Sequence, residues 1–203
     1  MQDQRPMSEV ESLEIITGMI NQARNRISET GRLYLVWGWM IFICCLVQFI
    51  LLYFFNNHQA YYIWYITWLG LVYQVYYIVK KKKRQNVRTY SDELIGFVWL
   101  TFVICSFIIV YILIKNQAMT AINPCVLVLY GIPTFLSGII LKFKALSTGG
   151  LICWLLAVVA MFTSYEFQLL LLSLAVACAW IIPGYLLRSR FKKQNQDGRK
   201  EIF

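Results

Sequence analysis

The sequence predicts an all-α fold: a six-span transmembrane helical bundle of three hairpins, preceded by a cytoplasmic amphipathic helix. Three observations predict it. Six apolar stretches can be marked out, Leu33–Phe55, Ala60–Val79, Leu94–Ile114, Ala118–Leu141, Leu146–Thr163 and Phe167–Leu187. Each has about 18 to 24 residues, the length needed to cross ~30 Å of hydrocarbon. None of the six contains Asp, Glu, Lys, Arg or His. Finally, 18 of the 19 Lys and Arg residues fall on one side of this topology. The N-terminal segment carries four, the second connection six, the fourth two and the C-terminal tail six, whereas the first, third and fifth connections share only Lys115. Basic loops are retained on the cytoplasmic side, so both termini are expected there.

Composition agrees with this class. Hydrophobic residues make up 59% of the chain and charged residues 14%, against about 25% charged in a soluble domain. The expected organisation is residues 1–32 as the cytoplasmic helix, 33–187 as the membrane domain and 188–203 as a basic tail. No segment outside the spans reaches the ~50 residues of an independent domain. The first apolar run begins only at Leu33. It is expected to act as an uncleaved insertion signal, since a cleavable one needs an apolar core near the start.

The first helix is read from Ser8-Glu9-Val10-Glu11, a capping box. Leu13, Ile16, Ile20, Ala23 and Ile27 then recur at alternating steps of three and four, the seam of an amphipathic helix. Thr30-Gly31 offers a C-terminal stop. Glu9, Glu11 and Glu14 come early, while Arg24 and Arg26 come late, which suits the helix dipole. Early acids are repelled by an anionic leaflet. The seam is therefore expected to contact protein (the bundle itself, a second copy or another partner), the alternative being a helix that lies in the membrane interface.

The second span is aromatic at both ends. Tyr61, Tyr62, Trp64, Tyr65 and Trp68 gather at one and Tyr73, Tyr76 and Tyr77 at the other, as rings do at both membrane interfaces. The run Lys80-Lys81-Lys82-Lys83-Arg84 comes directly after. In this position it holds the loop in the cytoplasm and contacts anionic lipid, and it does not imply nucleic acid. Ser91-Asp92-Glu93 leads into the third span, with Ser91 or Asp92 as its expected cap.

The fourth span carries Pro124, Gly131, Pro133 and Gly138, and the sixth carries Pro183-Gly184. Tyr130-Gly131-Ile132-Pro133-Thr134-Phe135-Leu136 and Trp180-Ile181-Ile182-Pro183-Gly184-Tyr185-Leu186 share the pattern aromatic-x-Ile-Pro-x-aromatic-Leu. Broken helices at matching places can line a transport site, or they can be kinks that serve packing. Gln48 and Gln74 lie at unequal depths in the first hairpin and are not expected to pair. Gly138, Gly149 and Gly150 allow close helix approach.

No residue set for catalysis is found. Membrane enzymes and ion-coupled carriers place ionisable groups at depth. The sole histidine, His58, belongs to a loop, and no phosphate loop or nucleophile elbow occurs. All six cysteines lie within spans and none forms a C-x-x-C pair, so neither a metal nor any other cofactor is expected.

The stretch Gly131-Ile132-Pro133-Thr134-Phe135-Leu136-Ser137-Gly138-Ile139-Ile140-Leu141-Lys142-Phe143-Lys144 is followed by Gly149-Gly150. Together with Trp37-Gly38-Trp39 and the preceding helix, it resembles small bacterial multi-pass inner-membrane proteins of unassigned function. The resemblance implies an inner-membrane location and carries over no catalytic residue. The expected function is that of a non-enzymatic membrane protein acting through protein or lipid contacts, regulatory or as a complex subunit. The alternative is a small transporter or channel component with its site near the broken fourth and sixth spans.

The topology predicts that reporter fusions near Asn57 and Tyr165 read as external and those near Asn86 and Gln194 as cytoplasmic. A cytoplasmic signal at Asn57 rejects the six-span order.

Overall fold

The computed structural model describes the backbone of residues 9–57, 59–82 and 90–189, and the side chains within 31–57, 59–76 and 93–189. Ser8, His58, Lys83 and Arg84 and the tail from residue 190 lie outside the described residues. So do the side chains of Lys80, Lys81 and Lys82 and of the seam Leu13, Ile16, Ile20, Ala23 and Ile27.

Among the described residues every regular element is helical. The helices are α1 (Glu9–Tyr53), α2 (Tyr65–Lys82), α3 (Tyr90–Lys115), α4 (Ile122–Ile140) and α5 (Lys144–Ala160). The last, α6, runs regularly over Tyr165–Val176, passes through a π-helical segment at Ala177–Ile181 and stays helical to Ser189. Short 3₁₀ segments, Ala60–Trp64 and Met119–Ala121, lead into α2 and α4. Among the described residues four stretches are long and apolar enough to cross a membrane: Gly31–Tyr53, Glu93–Lys115, Met119–Ile140 and Tyr165–Ser189. The 17-residue α5 is shorter.

Two expected boundaries are corrected. The backbone is helical straight through Thr30-Gly31, so the predicted stop is absent and α1 is one helix of 45 residues. Gly31 has a packing role instead. A Cβ there would lie 3.2 Å from Leu187 Cβ and 3.3 Å from the Gly184 carbonyl oxygen of α6. Ser91 and Asp92 fall inside the first turn of α3, which already begins at Tyr90. Their neighbourhood to the positive dipole end is kept, but neither is the cap.

Three tight turns reverse the chain. Each has a non-glycine residue in the left-handed region: Asn56 (φ 49°), Gln117 (φ 57°) and Lys142 (φ 51°). After α4, the Phe143 amide donates to the Gly138 carbonyl (2.8 Å) and the Lys142 amide to the Ile139 carbonyl (3.1 Å). This is a Schellman ending, and the turn after α3 repeats it with Ala118 to Leu113 and Gln117 to Ile114.

The tightest helix pair is α4 with α5. A Cβ on Gly138 would fall 2.4 Å from the Ser147 amide nitrogen, and one on Gly150 would fall 2.8 Å from the Phe135 nitrogen. The adjacent Gly149 faces α6, where its Cβ would lie 2.7 Å from Ala179 Cα. Successive helical residues point ~100° apart, so Gly149-Gly150 lets α5 wedge between two neighbours at once. Helix α1 lies along α6, α3 lies against α4, and α2 sits outermost. The Trp37 indole of α1 donates to the Gln74 side chain of α2, and Trp68 of α2 meets Phe107 of α3 at 5.1 Å.

Gly150→Val is expected to destabilise the protein by about 1–3 kcal/mol, because backbone cannot retreat as a flexible side chain would. Gly96→Ala is the control. Nothing lies within 4 Å of a Cβ there, so the change is expected to be neutral or to stabilise by up to about 1 kcal/mol. Unfolding of both variants in detergent checks this.

Candidate functional site

Pro133, inside α4, has no amide hydrogen to give to the Leu129 carbonyl four residues back. Two side chains bond the carbonyls on either side of that one. The Thr134 hydroxyl donates to the Tyr130 carbonyl (2.7 Å), and the Trp154 indole of α5 donates to the Val128 carbonyl (3.1 Å). Trp154 can reach because Gly131 lies beneath it; a Cβ on Gly131 would sit 2.2 Å from Nε1 of that ring. In α6, the π-helical segment Ala177–Ile181 immediately precedes Ile182-Pro183. It occupies the turn whose carbonyls the proline cannot serve, and such insertions commonly accompany local disturbance of the hydrogen-bond ladder.

The two proline motifs meet. Their leading aromatics, Tyr130 and Trp180, have ring centroids 4.9 Å apart. The Trp180 indole donates to the Thr134 hydroxyl at 3.0 Å, while that hydroxyl donates onward to Tyr130. Trp99 and Phe102 of α3 close the cluster, Trp99 against Trp180 (5.6 Å) and Phe102 against Tyr130 (5.3 Å). Tyr34 of α1 adds its ring at 6.0 Å from Trp99. The buried Tyr34 and Ser137 hydroxyls have no hydrogen-bond partner among the described residues.

Each predicted site residue of α4 and α6 can thus be placed. Pro133 and Pro183 are fully buried. Gly131 lies under Trp154 and Gly138 against Ser147. Gly184 faces α1, where its Cβ would lie 2.9 Å from Leu35 Cγ and 3.2 Å from the Gly31 carbonyl oxygen. Pro124 stands apart from this group. It is the third residue of α4, where a missing amide hydrogen leaves no internal bond unmade.

A second polar group lies toward the other end of the helices. The Trp64 indole donates to Gln48 Oε1 (2.6 Å), and Gln48 Nε2 donates to the Tyr165 hydroxyl (3.4 Å). Gln48 and Gln74 therefore have separate partners. Asn123 donates to Gln168 Oε1 (3.3 Å), and Gln168 Nε2 reaches the carbonyls of Ala160 (3.0 Å) and Thr163 (3.1 Å). Sequence reasoning misses Gln168, although an amide in so apolar a segment is a usable signal. It places Trp64 with the interfacial rings, yet the indole turns inward to Gln48. Tyr61, Tyr62, Tyr65, Trp68, Tyr73 and Tyr76 remain at least half exposed.

The chemistry of both clusters is neutral. Indoles, amides and hydroxyls bridge helices, and among the described residues no three His, Cys, Asp or Glu side chains converge. No known protein family, curated protein or solved structure matches this chain.

Thr134→Val keeps the shape of the side chain and removes its hydroxyl. Trp180 then loses its acceptor and Tyr130 a donor, at a cost of about 0.6–2 kcal/mol. Thr134→Ser is expected to retain most of the parent stability. Chemical unfolding followed by tryptophan fluorescence compares the three.

Proposed function

We propose that this is a non-enzymatic integral membrane protein that works by binding a protein partner or a second copy through the first half of α1. In this reading all six helices cross the membrane and both termini are cytoplasmic. On the resemblance of its α4–α5 region, the membrane is a bacterial inner membrane. One observation carries the choice between interaction and transport. The paired proline motifs are packed against each other, and Tyr130, Thr134 and Trp180 fill the contact between α4 and α6.

The continuity of α1 adds support. At ~1.5 Å per residue its 45 residues extend ~67 Å, about twice the hydrocarbon thickness. Its apolar seam positions Leu13, Ile16, Ile20, Ala23 and Ile27 thereby belong to the same continuous helix that lies along α6. Burial of such a seam against protein is favourable at ~25 cal/mol per Å².

Two measurements test the reading. Ile16→Glu with Ile20→Glu should abolish capture of partners or copies from native membranes, leave membrane insertion intact and speed proteolysis around Arg24 and Arg26. Unchanged capture and cleavage reject it. The transport alternative predicts that cysteines introduced beside Pro133 and Pro183 react with water-soluble thiol probes at membrane depth, whereas the interaction reading predicts that they do not.

A further inference from the structure

A groove of about 390 Å³ opens where α4 ends and α5 begins. Its mouth carries Lys142 and Lys144, and its walls include Ile139, Phe143, Thr148 and Leu151. We infer that this groove binds an anionic phospholipid, with the phosphate at the two lysines and an acyl chain along Ile139 and Leu151. The inference rests on the membrane reading above and adds a ligand site apart from Lys80-Lys81-Lys82-Lys83-Arg84.

Lys142 and Lys144 flank the buried Phe143 and are themselves exposed. Among the described residues neither has an acidic partner. Between them the chain turns from α4 into α5, and Phe143, the residue capping α5, offers no side-chain cap. The Leu146 and Ser147 amides turn back to the Phe143 carbonyl. The amides of Lys144 and Ala145 precede those bonds, at the positive end of the α5 dipole. An anion at the mouth therefore meets two ammonium groups and a helix start.

Shape then selects among anions. Ile139 is 54% exposed and Leu151 46%, and both line the groove behind the lysines. Inorganic phosphate or an acidic loop would meet the lysines and leave this wall uncovered. A phospholipid covers both, since it carries its charge and its hydrocarbon in one molecule. The location suits it too: the turn lies at the end of two apolar helices, at headgroup level in the proposed topology.

The left-handed conformation of Lys142 supplies a clean variant, because glycine adopts that conformation without steric penalty. Lys142→Gly with Lys144→Gln removes both charges while sparing the turn. The full-length protein would be placed in phosphatidylcholine nanodiscs containing a minor share of phosphatidylglycerol with a photoactivatable acyl chain. Labelling of the peptide spanning residues 138–151 is expected in the parent and should fall about five- to twentyfold in the double variant. Unlabelled phosphatidylglycerol should compete, and phosphatidylcholine should not.

Labelling that is equal in both proteins, or competed equally by phosphatidylcholine, overturns the inference. Competition by inorganic phosphate alone reassigns the mouth to a free anion and also overturns it. An unfolding midpoint for the double variant at or above the parent's shows that lost labelling is not lost fold. If the midpoint drops, Lys144→Gln alone must still lower labelling for the inference to stand. Reporter fusions that place this turn outside would reject the topology while leaving the labelling result to judge the groove.

Discussion

Close backbone approach around α5 is the constraint on which the rest of the bundle depends. Lipid tails are as apolar as leucine, so burial of hydrocarbon does not by itself hold membrane helices together; packing and interhelical hydrogen bonds must. Both decay over fractions of an ångström. Gly149 and Gly150 bring α5 to within backbone contact of Ala179 on one side and Phe135 on the other. That distance sets where α4 and α6 stand relative to each other. The Trp180–Thr134 hydrogen bond and the Trp154–Val128 hydrogen bond are made only because those helices stand there. The hydrogen bonds are thus consequences of glycine packing and also its reinforcement.

The two prolines disturb the helices at the same contact, and each is met differently. In α4 the helix keeps its regular register through Pro133, and side chains, Thr134 and Trp154, bond the carbonyls that flank the one the proline leaves without its helical donor. In α6 the remedy comes from the backbone, through the π-helical segment. A π segment inserts a residue and rotates the remainder of the helix about its axis. It brings Trp180 toward Tyr130 while Gly184, one turn on, meets Gly31 and Leu35 of α1. One irregular turn therefore lets α6 face α4 and α1 with bulky and small residues respectively.

Much of this is legible in the sequence for a physical reason. Helix class comes from long apolar runs, since lipid leaves backbone groups no partner but each other. The role of Gly138, Gly149 and Gly150 in close packing comes from their lack of side chains. The stop at Thr30-Gly31 misleads because glycine has two uses, ending a helix or admitting a neighbour, and local sequence does not separate them. The neighbour that decides, Gly184, lies more than 150 positions away. Composition groups Pro124 with Pro133, yet its place in the first turn makes it harmless. The pairing of Tyr130 with Trp180 is visible as a repeated pattern, but repetition gives no distance. Gln168 escapes notice because an amide near a span end reads as surface until the carbonyls of Ala160 and Thr163 are placed beside it.

The unbroken α1 gives the proposed interaction a physical route into the helical bundle. Its seam positions continue past Ile27 as Gly31, Tyr34, Gly38, Ile41, Cys45 and Gln48, again in steps of three and four, and these six are all buried. The alternation slips once, where the step from Ile27 to Gly31 repeats a four. The stripe that sequence assigns to a protein contact is thus nearly in line with the stripe that packs in the bundle. A flexible joint at Thr30-Gly31 would have let a bound partner move without consequence for the spans. With helix in its place, a partner that tilts the first half of α1 must either bend it or shift the Gly31–Gly184 contact with α6. Bending is opposed by the backbone hydrogen bonds of the helix, and shifting by the packing around Leu35 and Leu187. The π segment lies one turn before Gly184 and is the least regular part of α6.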